Sequence, residues 1–288
     1  MLRLLAESAG TAETHGSVVG RTLEFGADRV FEAVSRRSAV TVDWEAFTDN
    51  TVESAEVRLL GMVDTASVLA LQKLMVHEVR QQNRVCAAVL ICEHPLSITI
   101  GENASLLDLP ADQRELESRC LKTYRVSRSG GTFFHQPGQL SIYVVVSLDE
   151  CGFDENELRR RLQDAIIETC KDSQVVAHRR DDDPNGVWGR HGLICEIGIG
   201  VDKGVTSFGA FLNVGGRIDE AKQFGRGLKG DRLSSLNAER VRPSIMPQVR
   251  STLIQALCEQ IGYPEYHVHT GHPFLARSRH KVKIQDDD

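Results

Sequence analysis

Seven consecutive residues, Val85 to Ile91 (VCAAVLI), carry no charge and almost no hydrogen-bonding demand. A run that short and that continuously apolar reads as a β-strand buried on both faces, since a half-exposed strand alternates apolar with polar residues. The surrounding chain supplies further strands and amphipathic helices. From Val63 to Gln82, Ala66, Leu69, Ala70, Leu74 and Val79 recur at helical spacing, with Asp64 or Thr65 as cap. Asp154 to Cys170 and Ser244 to Gln260 read as two more helices. Short strands are expected at Leu96–Ile100, Tyr124–Arg128 and Leu140–Leu148, and another opens at Val187-Trp188. Leu193–Val201 and Val205–Val214 form a hairpin around the turn residues Asp202-Lys203-Gly204. Asp181 to Gly186 reads as a turn, residues 102–120 as a loop with a helical turn, and 215–242 as irregular. The fold class is α+β. One domain spans 56–265, between a poorly structured N-terminal extension (1–55) and a polar C-terminal tail (266–288).

Charge and cysteine usage exclude several function classes. Forty acidic against 34 basic residues give a net charge of −6, which argues against a nucleic-acid backbone binder, because that binding needs clustered positive charge. No run approaches the roughly 18 apolar residues of a membrane span. Seven cysteines (Cys86, Cys92, Cys120, Cys151, Cys170, Cys195, Cys258) at irregular spacing, without a CxxC pair, suggest neither a disulfide framework nor a zinc ribbon. The N-terminus has a five-residue apolar start, too short for a signal peptide, so a cytoplasmic protein is expected. His267, His269 and His272 read as incidental histidines of a solvated tail, and Asp181 to Asp183 as a turn, so neither a metal nor a cofactor is expected.

The densest turn chemistry lies in Arg128-Ser129-Gly130-Gly131-Thr132-Phe133-Phe134-His135-Gln136-Pro137-Gly138-Gln139, between two strands. Such glycines let the backbone approach a ligand and leave amide N–H groups to hold a carbonyl or phosphate oxygen. On local chemistry alone the segment is equally a pair of turns that reverse the chain. His135, next to Phe133 and Phe134, is more often a packed or hydrogen-bonded ring than a catalyst.

Four blocks in one order, over residues 59–236, resemble the octanoyltransferases of the lipoate pathway, within the biotin/lipoate protein ligase family. Glu93-His94-Pro95 with Thr99-Ile100-Gly101 is similar to that family's "EHP…T-x-G", and RSGGTFFHQPGQ to its "RGGxxTYHGPGQ", with Tyr143 matching a family Tyr. Gly186-Val187-Trp188 with Ile194 to Ile199, then Gly204 to Thr206 with Gly209 to Val214, resemble "GVW…KIaaiGi…gvt.hGlaLNV". The resemblance implies a mixed β-sheet flanked by helices and transfer of an octanoyl group from acyl carrier protein to a lysine on a lipoyl domain of 2-oxoacid dehydrogenase or glycine cleavage proteins. It places substrate at Arg128, Ser129, Gly130, Gly131, Thr132, Phe133, Phe134 and His135, at Glu196, Ile197 and Gly198, and at Gly209, Ala210 and Phe211. Phe133, Phe134, Ile197 and Phe211 can line a narrow slot for the acyl tail.

The family's reaction uses a cysteine thiolate activated by a strand lysine. Leu193 holds the lysine's position, and the equivalent of the family's "PCG" turn, Phe224 to Arg232, contains no cysteine. Three routes stay open. The first is direct transfer by proximity, with Lys229 stabilising developing charge. In the second, Cys195 serves as a substitute nucleophile, two residues from Leu193 and so on the same strand face. The third is a non-catalytic binder of acyl chains or acylated carrier protein. Arg217, Arg226, Lys229, Arg232, Arg240 and Arg242 suggest a basic rim for an acidic carrier.

Overall fold

The computed structural model describes residues 54–81, 85–104, 113–216 and 232–276. Residues 1–53 of the segment read as an N-terminal extension lie outside them, as does almost all of the Phe224–Arg232 loop, Lys229 included, whereas Ala55 already opens the first strand. In chain order the elements are β1 (Ala55–Met62), α1 (Thr65–Arg80), β2 (Ala87–Glu93), β3 (Ser97–Ile100), α2 (Gln113–Ser118), β4 (Lys122–Arg125), β5 (Thr132–His135) and β6 (Gln139–Val146). There follow α3 (Leu148–Cys151), α4 (Glu155–Asp172), β7 (His178–Arg180), β8 (Asp183–Trp188), β9 (Leu193–Asp202), β10 (Val205–Asn213), α5 (Met246–Gln260), β11 (Tyr266–Thr270) and α6 (Pro273–Ala276).

Eight strands form one sheet in the order β11-β1-β2-β6-β10-β9-β8-β7. β1 runs parallel to both β11 and β2, whereas the remaining pairs are antiparallel, so the sheet is mixed, as expected. β6 explains why the inner strands read as continuous apolar runs. Its Ile142, Val144 and Val146 pack with Leu158 and Leu162 of α4 and Leu253 and Leu257 of α5. The alternate Tyr143 and Val145 pack with Leu71 and Met75 of α1 on the other face. A small sheet, β4-β3-β5, brings the glycine-rich bend between β4 and β5 to the α1 side.

The caps settle the helix starts. Asp64 accepts from the Ser67 N–H at 3.0 Å and caps α1, leaving Thr65 as its first residue, with its hydroxyl 2.7 Å from Ser97 Oγ. Asp154 caps α4 through the Glu157 N–H at 2.7 Å.

Three segments depart from the sequence reading. β1 lies where no strand was expected, and β11 forms within the stretch read as a polar tail, paired in parallel with β1. Both lie at one margin of the sheet, where β11 leaves four of its five residues exposed, so neither shows the apolar run of an inner strand. The turn read over Asp181–Gly186 is shorter. Arg180 pairs with Asp183 across Asp181-Asp182, and Pro184 is tolerated in β8 because pairing with β9 begins only at Gly186.

Candidate acyl-binding site

The glycine-rich bend is fastened to β9. The Ser129 N–H donates to the Ile199 carbonyl at 2.8 Å, and the Ile199 N–H donates back to Ser129 Oγ at 3.1 Å. Gly130 takes φ +87°, a conformation that favours glycine, and its N–H donates to Asn103 Oδ1 at 2.9 Å. The approach depends on Gly198, where a Cβ would sit 2.8 Å from the Ser129 carbonyl oxygen, 2.9 Å from Arg128 Cδ and 3.2 Å from the Phe133 ring. Gly198 pairs with Gly209, and Glu196 with Phe211, across β9 and β10. The three segments singled out in the sequence, 128–135, 196–198 and 209–211, therefore meet.

Not all of their side chains share one face. Phe133 and Phe211 do: their ring centroids are 5.1 Å apart, edge to face, and both belong to the α1-side core. Ile197 and its cross-strand partner Ala210 point into the α4–α5 core, because strand side chains alternate. Phe134, next to Phe133 on β5, packs instead with Ile98, Ile100, Trp188, Leu193 and Leu233. Of the four apolar residues expected to line a slot, only Phe133 and Phe211 share a face, with Gly198 against the Phe133 ring.

Arg128 lies over this face, fully buried, with its guanidinium 3.5 Å from the Phe133 centroid. Its Nη1 donates to the carbonyls of Ser129 and Gly131 at 3.0 and 3.1 Å, and its Nη2 to the Thr99 carbonyl and hydroxyl at 3.1 and 2.8 Å. Burial draws the guanidinium down to about 9 against the opposing pull of the Glu196 carboxylate, so it stays charged at neutral pH.

From Arg128 a hydrogen-bond chain runs through the small sheet to the ends of β6 and β10. Thr99 Oγ1 lies 2.8 Å from His135 Nε2, and His135 Nδ1 lies 2.9 Å from Gln139 Oε1. Gln139 Nε2 donates to the Phe134 carbonyl and to Asn213 Oδ1, both at 3.0 Å. Because Thr99 Oγ1 already accepts from arginine and Gln139 Oε1 can only accept, the imidazole is neutral with its proton on Nδ1. Desolvation and the neighbouring His94 and Arg128 hold His135 well below the ordinary histidine range. It is a packed, hydrogen-bonded ring with both nitrogens committed. His94 mirrors it, with Nδ1 2.7 Å from the Val63 carbonyl and Nε2 2.8 Å from the Tyr143 hydroxyl. Glu93 accepts from the Gly138 N–H at 2.8 Å and so ties the Glu-His-Pro segment to the Pro-Gly turn. Sequence reasoning gave Thr99, Gln139 and Asn213 no role, although each lies within a motif it quoted.

Leu193 and Cys195 do not share a face. Val187 pairs with Cys195 but Trp188 pairs with Leu193, so Ile194 is an extra residue, a β-bulge. Leu193 consequently packs beside Trp188, Leu233 and Phe134, whereas Cys195 packs beside Val187 in the α4–α5 core. Cys195 is fully buried, and burial first, then the neighbouring Cys170, push its thiol well above the usual range. This overturns the reading of Cys195 as a nucleophile next to the lysine position. Of the basic series, Arg217, Arg226 and Lys229 lie outside the described residues, Arg232 and Arg242 are exposed, and Arg240 donates to Ser244 Oγ at 3.0 Å. His267 and His269 lie exposed on β11, and among the described residues no group of three metal-binding side chains comes together.

Residues 64–258 match the family described as the lipoyl protein ligase A/B catalytic domain. An octanoyltransferase from Roseiflexus sp. (strain RS-1) is 32% identical over 206 residues, covering 69% of this chain and 84% of that protein. Two solved structures share the fold. Lipoate-protein ligase A bound with ATP superposes with a TM-score of 0.63 at 17% identity, covering 78% of this chain and 92% of that one. A bi-partite lipoate protein ligase of an archaeal lipoylation system, studied with its E2 lipoyl domain from Thermoplasma acidophilum, superposes with a TM-score of 0.61 at 16% identity, covering 78% and 89%. No helix among the described residues is long and apolar enough to cross a membrane.

Proposed function

Since the chain belongs to the lipoyl protein ligase A/B catalytic-domain family, we propose that it moves an octanoyl group from acyl carrier protein to the ε-amine of a lysine on a lipoyl domain, in the cytoplasm and without a cofactor. The acceptors are lipoyl domains of 2-oxoacid dehydrogenase or glycine cleavage proteins. The observation that carries this reading is the Phe133–Phe211 ring pair with Gly198 against the Phe133 ring, roofed by the Arg128 bend. A tail lying against such rings gains about 0.8 kcal/mol per buried CH₂.

Neither Leu193 nor Cys195 can supply the family's ammonium and thiolate. The transfer is therefore direct: the neutral lysine amine attacks the thioester carbonyl, a C–N bond forms, the C–S bond breaks, and the carrier's thiol leaves as the amine gives up a proton. Holding both reactants on one protein supplies an effective molarity on the order of 10⁵ M or more in favourable geometry.

The apolar seat of Leu193, between Trp188, Leu233 and Phe134, favours a second reading, a binder of acyl chains or acylated carrier without turnover. One experiment separates them. Octanoyl-loaded carrier and apo lipoyl domain are incubated with the protein and both are weighed by mass spectrometry. Protein-dependent octanoylation of the acceptor supports transfer. Carrier binding with an unmodified acceptor supports the binder.

A further inference from the structure

Beside Leu193 and away from the ring pair, a cleft of about 620 Å³ opens between the ends of β7 and β8 and the two backbone segments at 189–192 and 232. Its side chains are His178, Arg180, Trp188, Arg190, His191 and Arg232, and among the described residues no acidic one lines it. Trp188 forms an apolar wall, 4% exposed, with the Arg180 guanidinium 4.1 Å from its ring centroid. Arg180 is matched by Asp182 and His191 by Glu239, whereas among the described residues neither Arg190 nor Arg232 has a carboxylate partner.

Both arginines are exposed, and the backbone that carries them is hydrogen-bonded on each side of the cleft. Glu239 accepts from the N–H groups of Arg190 and His191, both at 2.9 Å, and from the Ser234 hydroxyl at 2.5 Å. The Leu193 N–H donates to the Arg232 carbonyl and the Ser234 N–H to the Leu193 carbonyl, each at 2.8 Å, so both sides of the cleft are joined at Leu193. Trp188 also packs in the cluster that contains Phe134, the neighbour of Phe133 on β5. Unmatched guanidinium groups on a hydrogen-bonded frame beside an indole wall suit a phosphate ester on an uncharged, partly apolar stem.

We propose that the Arg190–Arg232–Trp188 cleft holds the phosphate of the acyl donor's phosphopantetheine arm, carried by a protein or by coenzyme A. The proposal rests on the reading of the chain as a user of octanoyl thioesters. It deepens that reading by assigning the donor's headgroup to the lysine-position side of the sheet.

The test is calorimetric titration of the full chain with phosphopantetheine, with pantetheine, with octanoyl-coenzyme A and with octanoyl-loaded carrier protein. Phosphopantetheine should bind at least tenfold more tightly than pantetheine at low salt, and R190A/R232A should abolish that difference, while R160A on the far helix α4 retains it. Equal affinity for the two small probes, or a difference that survives in R190A/R232A, overturns the proposal. Comparable arginine-dependent binding of octanoyl-coenzyme A and of loaded carrier means that either source is accepted; binding of the carrier alone assigns the phosphate to the protein-borne arm. Acceptor octanoylation is scored separately. Phosphate-dependent binding without octanoylation leaves the cleft standing and removes transfer, whereas octanoylation unchanged in R190A/R232A at subsaturating donor removes the cleft alone.

Discussion

Leu193 and Cys195, two residues apart on β9, face opposite sides of the sheet because Ile194 bulges between them. The consequence is chemical. A thiol on the α4–α5 side of the eight-stranded sheet cannot reach a thioester lying against Phe133 and Phe211 on the α1 side. Cys195→Ala is therefore expected to keep octanoyl transfer within about twofold while lowering stability by about 1 kcal/mol, the loss of one buried heavy atom. Mass spectrometry of the acceptor and urea unfolding measure the two effects, and a collapse of transfer in a folded variant would contradict the assignment.

Restoring the family's lysine should fail. Leu193→Lys places an ammonium among Trp188, Leu233 and Phe134, where the nearby Asp183 carboxylate is already engaged by the Trp188 indole N–H at 3.1 Å. The expected loss is about 3 kcal/mol or more at neutral pH. The buried amine holds its proton less tightly than the unfolded chain does, so stability should rise with pH toward about 10. Urea midpoints at pH 6, 7.5 and 9 check this, and a flat profile would show that the site accommodates the charge.

How much of this was legible in the sequence follows from where each residue sits in the sheet. The strands β2, β6, β9 and β10 are buried on both faces, so their apolar runs announced them, and Asp202-Lys203-Gly204 marked their hairpin. β1 and β11 pair at the margin, where exposure removes that signal. The glycine-rich bend was visible as turn chemistry, but its contact with Gly198 joins residues 70 positions apart, which no local pattern encodes. The face of Cys195 was misread because a strict two-residue alternation has no place for Ile194. Thr99, Gln139 and Asn213 carried motif resemblance only, since a hydrogen-bond chain across four strands exists only once they are paired.

Acid should destabilise the fold through its buried imidazoles. His94 and His135 both have folded-state affinities for protons below the ordinary histidine value, chiefly because burial disfavours the charged ring. Above about pH 6.5 both states of the chain keep these rings neutral and the stabilisation is fully present. As pH falls below that value the unfolded state binds protons the native state refuses, so stability drops by about 1.4 kcal/mol per pH unit for each ring until the folded pKa is reached. Denaturant titrations at pH 7, 6 and 5 should show this slope, and His135→Gln should lessen it. A slope unchanged in that variant would mean that His135 is not one of the groups responsible.

Gly198 tests the geometry on which the acyl site depends. An alanine there sets a methyl group 2.8 Å from the Ser129 carbonyl oxygen and 2.9 Å from Arg128 Cδ, and neither can retreat freely. Ser129 is tied to Ile199 by two hydrogen bonds, and Arg128 is held by four donor contacts to Thr99, Ser129 and Gly131. Gly198→Ala should therefore lower stability by about 1–3 kcal/mol through overpacking and lift the bend off β9. Gly61 is the matched control, because a Cβ there meets nothing within 4 Å, although its φ of +71° adds a local backbone strain of its own. Octanoyl thioester affinity should fall at least tenfold in Gly198→Ala and stay unchanged in Gly61→Ala at equal folded fraction. Undiminished affinity in Gly198→Ala would place the acyl tail somewhere other than the face between Phe133 and Phe211.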